Sequence, residues 1–367
     1  MKLEETIIIL PKSKIKAGDG KKEGKYLLYR SSNKIDTYYD EYIIDTEAII
    51  VGTGGNPSIH YNIGKCAYTT QCLAITSKGT LKNKYIYYYL LSQLDRIQNM
   101  FRGMTIKQLD KKEFFNLDIP IIEVDIQDKI IENLDIITNN IQSKKQQVKK
   151  LEQLVKSQFV EMFGTPFLNE KNWKYGIIKD LVKEVKYGTS KPANGGKYKY
   201  LRMNNITYDG KLDLREIKYI DIEESDKEKY STKNGDILFN RTNSKELVGK
   251  TCVFDIEEEM IIAGFIIRVR INEFANPYFI SEYMNTVYLK EKLRNMCKDA
   301  SGQSNINAKE LENIKIYIPP ITLQNQFSEI VKQIDKQKFE IEKSLKETQE
   351  LYESLMDEYF KGEKRWN

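Results

Sequence analysis

Residues 300–327 read ASGQSNINAKELENIKIYIPPITLQNQF, and residues 101–130 read FRGMTIKQLDKKEFFNLDIPIIEVDIQDKI. Each stretch opens with a Gly in a short polar run. Each passes into an apolar, strand-like piece that closes on Ile-Pro, then enters a long helical pattern. The long patterns share one register, residue i against residue i+197. The chain builds one corner twice, so a duplicated fold is predicted. Pro at each corner removes a backbone donor and ends strand pairing, which lets the chain leave a globule for a helix.

From Ile126 the chain runs IQDKIIENLDIITNNIQSKKQQVKKLEQLVKSQFVEMFG, and from Leu323 it runs LQNQFSEIVKQIDKQKFEIEKSLKETQELYESLMDEYFKG. Both are rich in Lys, Glu, Gln and Leu, with no internal Pro or Gly, which favours helix. A 3-4-3-4 spacing picks Ile130, Leu134, Ile137, Ile141, Lys144, Val148, Leu151, Val155, Gln158 and Met162 in the first. In the second it picks Phe327, Val331, Ile334, Lys338, Ile341, Leu345, Thr348, Tyr352, Leu355 and Tyr359. Eight of ten positions are apolar in each. A sustained 3.5-residue period predicts a helix packed lengthwise on another helix. Each helix is ~38 residues, roughly 57 Å at 1.5 Å per residue. Gly164-Thr165-Pro166 stops the first and Gly362 the second. Burial of the two stripes against each other is the simplest arrangement. Packing on the chain's own globules, or on a partner chain, is the alternative.

The predicted order is a globule over 1–121, a spacer helix over 122–163, a globule over 164–319 and a spacer helix over 320–362. The fold class is α+β. Two α/β globules, mixed and mostly β, are separated by two long antiparallel helices in an intramolecular coiled coil with a pseudo-two-fold axis. In each globule a polar loop follows an apolar strand, IIVGTGGNPS in the first and DILFNRTNSK in the second. The helical segments KNKYIYYYLLSQLDRIQNMF and NPYFISEYMNTVYLKEKLRNM come next. The first globule is shorter by roughly 30 residues and lacks most of what the second has at 195–225.

The 367 residues are enough for two domains, and 40% are apolar. The net charge of +5 is a weak pointer to a polyanionic partner. Four cysteines form no CxxC pair and His60 is the one histidine, which argues against zinc. Scattered free cysteines suit a reducing, cytoplasmic setting. MKLEETIIILPK is too short an apolar run for a signal peptide, and no stretch approaches the ~20 apolar residues of a membrane span. No GxGxxG, GxSxG or HExxH is present, nor an Asn/Asp-Pro-Pro-aromatic run. VGKT at 248–251 has Ser244 where a phosphate loop needs Gly. The chain is expected to bind no metal or cofactor and to perform no covalent chemistry alone.

Recognition remains. In the second half Ser190, Lys191, Arg202, Asn204, Asn205, Arg241, Thr242, Asn243 and Lys245 gather on loops after strands, with Gly302, Gln303, Ser304 and Asn305 beyond. In the first half the counterparts are Lys14, Lys16, Arg30, Ser31, Ser32 and Asn33, then Thr53 to Asn56, then Arg102 and Met104. Arg pairs bidentately with guanine and Asn with adenine, while Lys, Ser and Thr suit phosphate oxygens. Arg202 alone also suits an ion pair, and Asn204 and Asn205 a turn. The signal lies in the duplicated set.

YGTSKPANGGKYKYLRMNNITYDGKLDL, GDILFNRTNSKELVGKTCVF and SGQSNINAKELENIKIYIPPITLQNQF resemble the DNA-specificity subunit of Type I restriction-modification enzymes. The doubled architecture extends the resemblance over essentially the whole chain. Two departures stand out. IPPITLQNQ replaces the family's frequent Leu and Glu-Gln, and Ile119-Pro120 is followed by Ile121-Ile122 in place of a second Pro. The resemblance implies that each globule is a target-recognition domain reading half of a split double-stranded DNA site from the major groove. It implies that the helices set the spacing and dock two methyltransferase subunits, joined by motor-nuclease subunits. S-adenosylmethionine, ATP and Mg are then expected on those partners. The alternative is the specificity subunit of a methylation-only or other-type restriction system, or a coiled-coil scaffold that binds only proteins.

Overall fold

A computed structural model describes residues 1–105, 107–297 and 304–361 of the chain. The chain divides into two compact units, Met1–Lys145 with Lys343–Asn367, and Gln146–Glu342.

In the first unit an antiparallel sheet has the order Ile7–Ile9, Cys72–Ser77, Ala48–Gly52, Ile59–Asn62. A second sheet has the order Tyr38–Tyr39, Tyr26–Tyr29, Lys65–Tyr68, Ile44–Asp45, and its central pair is parallel. In the second unit the order Val182–Tyr187, Ile266–Ile271, Asp236–Asn240, Thr251–Phe254 repeats the first sheet. Lys218–Ile220, Tyr198–Leu201 and Ile261–Ile262 repeat the second, again with a parallel pair. The duplication inferred from the corner thus extends through both globules. It also corrects the expected gap at 195–225. The hairpin of Tyr198–Leu201 with Lys218–Ile220 has a counterpart in Tyr26–Tyr29 with Tyr38–Tyr39. The extra length of the second unit lies in its longer connection, residues 202–217, and in the helix Glu224–Tyr230.

Helices Val124–Phe163 and Ile321–Phe360 match the two expected rods, and Gly362 lies outside the described residues. Gly164 follows the first in the left-handed region (φ 78°), where a Cβ is costly. The helices are antiparallel within each unit. In the first unit Asn133 Nδ2 donates to the Tyr359 hydroxyl (2.9 Å), and Lys144 Nζ donates to Ser344 Oγ (2.8 Å) and Thr348 Oγ1 (2.7 Å). In the second, Lys338 Nζ donates to Glu152 Oε1 (2.5 Å). Three of the four polar positions in the stripes, Lys144, Lys338 and Thr348, are therefore cross-helix contacts, of the kind that fixes register. Each unit holds about half of each helix.

Ile130, Leu134, Val155, Phe327, Val331 and Ile334 are buried, and Ile137, Ile141, Val148, Ile341, Leu345, Tyr352 and Leu355 are half-buried. Toward the helix ends the seam moves one position. Phe159, Phe163, Met356 and Phe360 are buried where the 3.5 spacing selects Gln158, Met162, Leu355 and Tyr359. An α-helix drifts against a heptad pattern, and here the drift turns the ends toward the globules. Phe163 meets Phe279 (ring centroids 4.9 Å) and Phe360 meets Tyr85 (5.5 Å).

The repeated corner has a specific chemistry. Gln127 and Gln324 occupy equivalent positions, and both are fully buried. Gln324 Nε2 donates to the Pro319 (2.8 Å) and Phe274 (3.2 Å) carbonyls, while its Oε1 accepts from Asn276 N (2.9 Å). Gln127 Nε2 donates to the Ile122 (3.0 Å) and Thr80 (3.4 Å) carbonyls, and its Oε1 accepts from Lys82 N (2.7 Å). One amide per unit fastens the start of the long helix to the N-cap of an earlier short helix, Asn83–Ser92 in the first unit and Pro277–Asn285 in the second.

Candidate nucleic-acid interface

In the second unit, four connections meet at one cleft of about 460 Å³. Residues 189–193 follow the strand Val182–Tyr187, and 202–204 follow Tyr198–Leu201. Arg241 follows Asp236–Asn240, and residues 263–265 turn between Ile261–Ile262 and Ile266–Ile271. Lys191, Arg202 and Arg241 line the cleft, and among the described residues no carboxylate does.

Backbone bonds fix these loops. Gly264 N donates to the Thr189 carbonyl (2.8 Å), Arg241 N to Phe265 (2.9 Å) and Ile306 N to Arg241 (2.9 Å). The Tyr200 hydroxyl donates to the Thr189 (3.2 Å) and Lys191 (3.1 Å) carbonyls, and burial raises its pKa, so it remains a donor. The Arg241 guanidinium lies 4.9 Å over the Tyr187 ring, a cation–π arrangement that holds it beside the cleft. Arg202 Nη2 donates to the Glu216 carbonyl (2.9 Å), while its Nε is shielded from solvent and has no partner among the described residues.

The expected residues separate into two groups. Ser190, Lys191 and Asn204 are exposed, and Arg202 and Arg241 are half-buried, all at the cleft. Lys245 is exposed further along the loop. Asn205 is corrected: its side chain is buried and spent on a turn. Its Oδ1 accepts from Arg202 N (2.9 Å), and its Nδ2 donates to the Asp213 carbonyl (2.7 Å). Ser304 is likewise buried, in a strand paired with Thr242 and Asn243. Thr242 Oγ1 donates to Asn305 Oδ1 (3.1 Å), and Asn243 Nδ2 donates to Asn240 Oδ1 (2.9 Å). Gln303 and Gly302 lie outside the described residues.

VGKT has a structural role. Lys250 Nζ donates to the Met203 carbonyl (2.7 Å), which supports the 202–204 loop from behind. Gly249 has φ 78°, and a Cβ there would stand 2.5 Å from Leu293. Lys290 Nζ donates to the Gly249 carbonyl (3.2 Å). Burial, then the nearby Lys250 and Arg294, push its pKa down to about 8.

The first unit repeats the backbone scheme. Thr70 N donates to the Ile15 carbonyl (2.8 Å), Thr53 N to Gln71 (2.8 Å) and Leu109 N to Thr53 (2.9 Å). Arg30 stands where Arg202 does, after the strand of the parallel pair, and meets Asp36 at 2.7 Å. Lys14 and Lys16 are exposed on the loop after Ile7–Ile9. Thr53 is corrected: it is buried and acts through its backbone. Ser31 Oγ donates to the Gly54 carbonyl, and Ser32 Oγ accepts from Lys34 N (3.1 Å). His60 is buried, which lowers its pKa, and its Nε2 donates to the Ser32 carbonyl (2.7 Å). Arg102 is exposed and meets Glu113 at 3.2 Å.

Among the described residues, no group of three or more His, Cys, Asp or Glu side chains is placed to hold a metal ion. No described helix is long and apolar enough to cross a membrane. Sequence reading missed the Phe265 turn and the two buried glutamines. The glutamines carried one signal, the shared register of the two long patterns.

The family profile described as "Type I restriction modification DNA specificity domain" matches residues 1–153 and 170–351. The EcoKI specificity subunit of a Type I restriction enzyme from Escherichia coli K12 is 24% identical over 323 residues, 82% of this chain and 69% of that protein. A Methanocaldococcus jannaschii chain, assigned as the MjaX specificity subunit, is 28% identical over 196 residues. That match spans 52% of this chain and only 46% of the relative's length. The crystal structure of a Type I restriction-modification S subunit from M. genitalium is similar in fold. The TM-score is 0.65 at 16% identity, covering 97% of this chain and 94% of that one.

Proposed function

The chain belongs to the Type I restriction-modification DNA specificity family, and on that premise we propose that it is the sequence-reading subunit of such a complex. Each unit reads one word of a split double-stranded DNA site from the major groove. The long helices set the gap between the words and dock two methyltransferase subunits, with motor-nuclease subunits joining the assembly. S-adenosylmethionine, ATP and Mg belong to those partners. The chain itself supplies recognition and scaffolding in the cytoplasm, and the covalent chemistry takes place on the partner subunits.

The observation that carries this reading is the carboxylate-free cleft bearing Lys191, Arg202 and Arg241 among the described residues, with its backbone scheme repeated in the other unit. Basic groups on fixed loops position a phosphate backbone, and neighbouring side chains then reach base edges. If Lys14, Lys16, Arg30, Lys191, Arg202 and Arg241 each meet one phosphate, log affinity falls against log salt with a slope of about −5. Duplex DNA binding by the complex with its methyltransferase is then expected to weaken about a thousandfold between 50 and 200 mM salt. An affinity indifferent to salt contradicts this reading and favours a scaffold that binds only proteins.

A further inference from the structure

Among the described residues, Phe265 is the one aromatic side chain of the second unit's cleft that is half exposed (49%) and sits at a turn between two strands. Its backbone is held firmly. Its carbonyl accepts from Arg241 N (2.9 Å) and from Asn240 Nδ2 (3.2 Å). The ring therefore has a fixed origin beside Arg202 and Arg241, and it belongs to none of the buried clusters of the described residues. A phenyl group left in water at the edge of a basic cleft gains from an apolar surface on whatever enters that cleft. In the major groove that surface is the thymine C5-methyl.

The first unit offers different chemistry at the same point. Gln71 is exposed, and its carbonyl accepts from Thr53 N (2.8 Å) as that of Phe265 does from Arg241 N. Its amide packs over Gly54, 3.4 Å from the position a Cβ would take. Gln is a bidentate partner of adenine N6 and N7.

We infer that this turn position is a specificity-determining position in both units, with Phe265 reading a thymine methyl in one word and Gln71 reading an adenine in the other. The inference rests on the proposal that each unit reads one word. The same backbone site then selects an A·T pair in each word, through its thymine in one and its adenine in the other.

The test is selection of bound duplexes from a random-sequence pool by the full chain in complex with its methyltransferase. Phe265→Ala is expected to abolish a preference of about tenfold for one A·T pair in one word, leaving the other word intact. Phe265→Leu, which keeps an apolar tip, retains it. Gln71→Ala relaxes one A·T pair in the other word, and Gln71→Glu shifts that pair toward cytosine, whose N4 donates to a carboxylate. All four changes leave the backbone bonds of the turn in place. If the wild-type complex selects two words and the Ala variants select the same two, the inference is overturned while the word-reading proposal stands. If the wild-type complex selects no word, both fall.

Discussion

Replacing Arg268 by Met is expected to destabilise the Gln146–Glu342 unit by about 3 kcal/mol, the lower end of the cost of breaking a buried ion pair. Arg268 lies in the middle of the strand Ile266–Ile271, with its side chain 1% exposed. Its Nη2 meets Glu184 (2.5 Å), its Nε faces Asp236 (3.8 Å) and its Nη1 donates to the Ser231 carbonyl. Met keeps most of the volume and removes the charge, so the penalty comes from the two carboxylates left behind. Arg270 still bridges them, to Glu184 at 3.1 Å and to Asp236 at 2.9 Å, which keeps the loss from the upper end of the range. The measurement is the urea midpoint of this unit's transition at unchanged m-value. A change below about 0.5 kcal/mol, ordinary for an uncritical surface site, contradicts the account.

The same network sets an acid limit. Burial pushes the Glu184 carboxyl up, but the hydrogen bond and charge of Arg268, together with Arg270, hold its pKa below the ordinary value. A carboxyl with a folded pKa below its unfolded one stabilises the fold above the unfolded value. That contribution is lost as pH falls through the folded value. The Arg268→Met variant is therefore expected to lose part of the wild type's acid sensitivity.

Gln324→Leu is expected to cost about 3 kcal/mol in the same unit, because one side chain serves three backbone groups without access to water. Leu fills similar space but leaves the Asn276 N–H and the Pro319 and Phe274 carbonyls short of a partner. Buried groups left unpaired cost more than a typical hydrogen bond contributes. Amide exchange at Asn276 is expected to accelerate along with a lowered unfolding midpoint. Gln127→Leu does the same to the first unit, with Lys82 N as the amide left without its acceptor. Wild-type midpoints for both variants would mean that the corner is held by its prolines and apolar contacts alone.

The two rods were legible because forty residues without Gly or Pro can carry a sustained period, and Val124–Phe163 and Ile321–Phe360 have that length. The duplication was legible in the Ile-Pro corner, where local chemistry is repeated in order. Gln127 and Gln324 were not, because a Gln near a helix start ordinarily meets solvent. Their burial follows from a short helix distant in sequence. Arg268 was hidden for the same reason, since its partners Glu184 and Asp236 come from neighbouring strands. Among the loop residues, type alone did not separate Asn204 from Asn205. The first is exposed at the cleft and the second is consumed by its own turn. Phe265 followed an apolar run and had the composition of core, and only the turn at residues 263–265 places its ring outside.

The most direct test is a map of methylated adenines in the genome of cells that co-express the chain with a Type I methyltransferase subunit that assembles with it. One split motif is expected, two short words separated by a gap of fixed length. Methylation without any shared motif, from a complex that still assembles, would contradict DNA reading and leave a protein scaffold in its place.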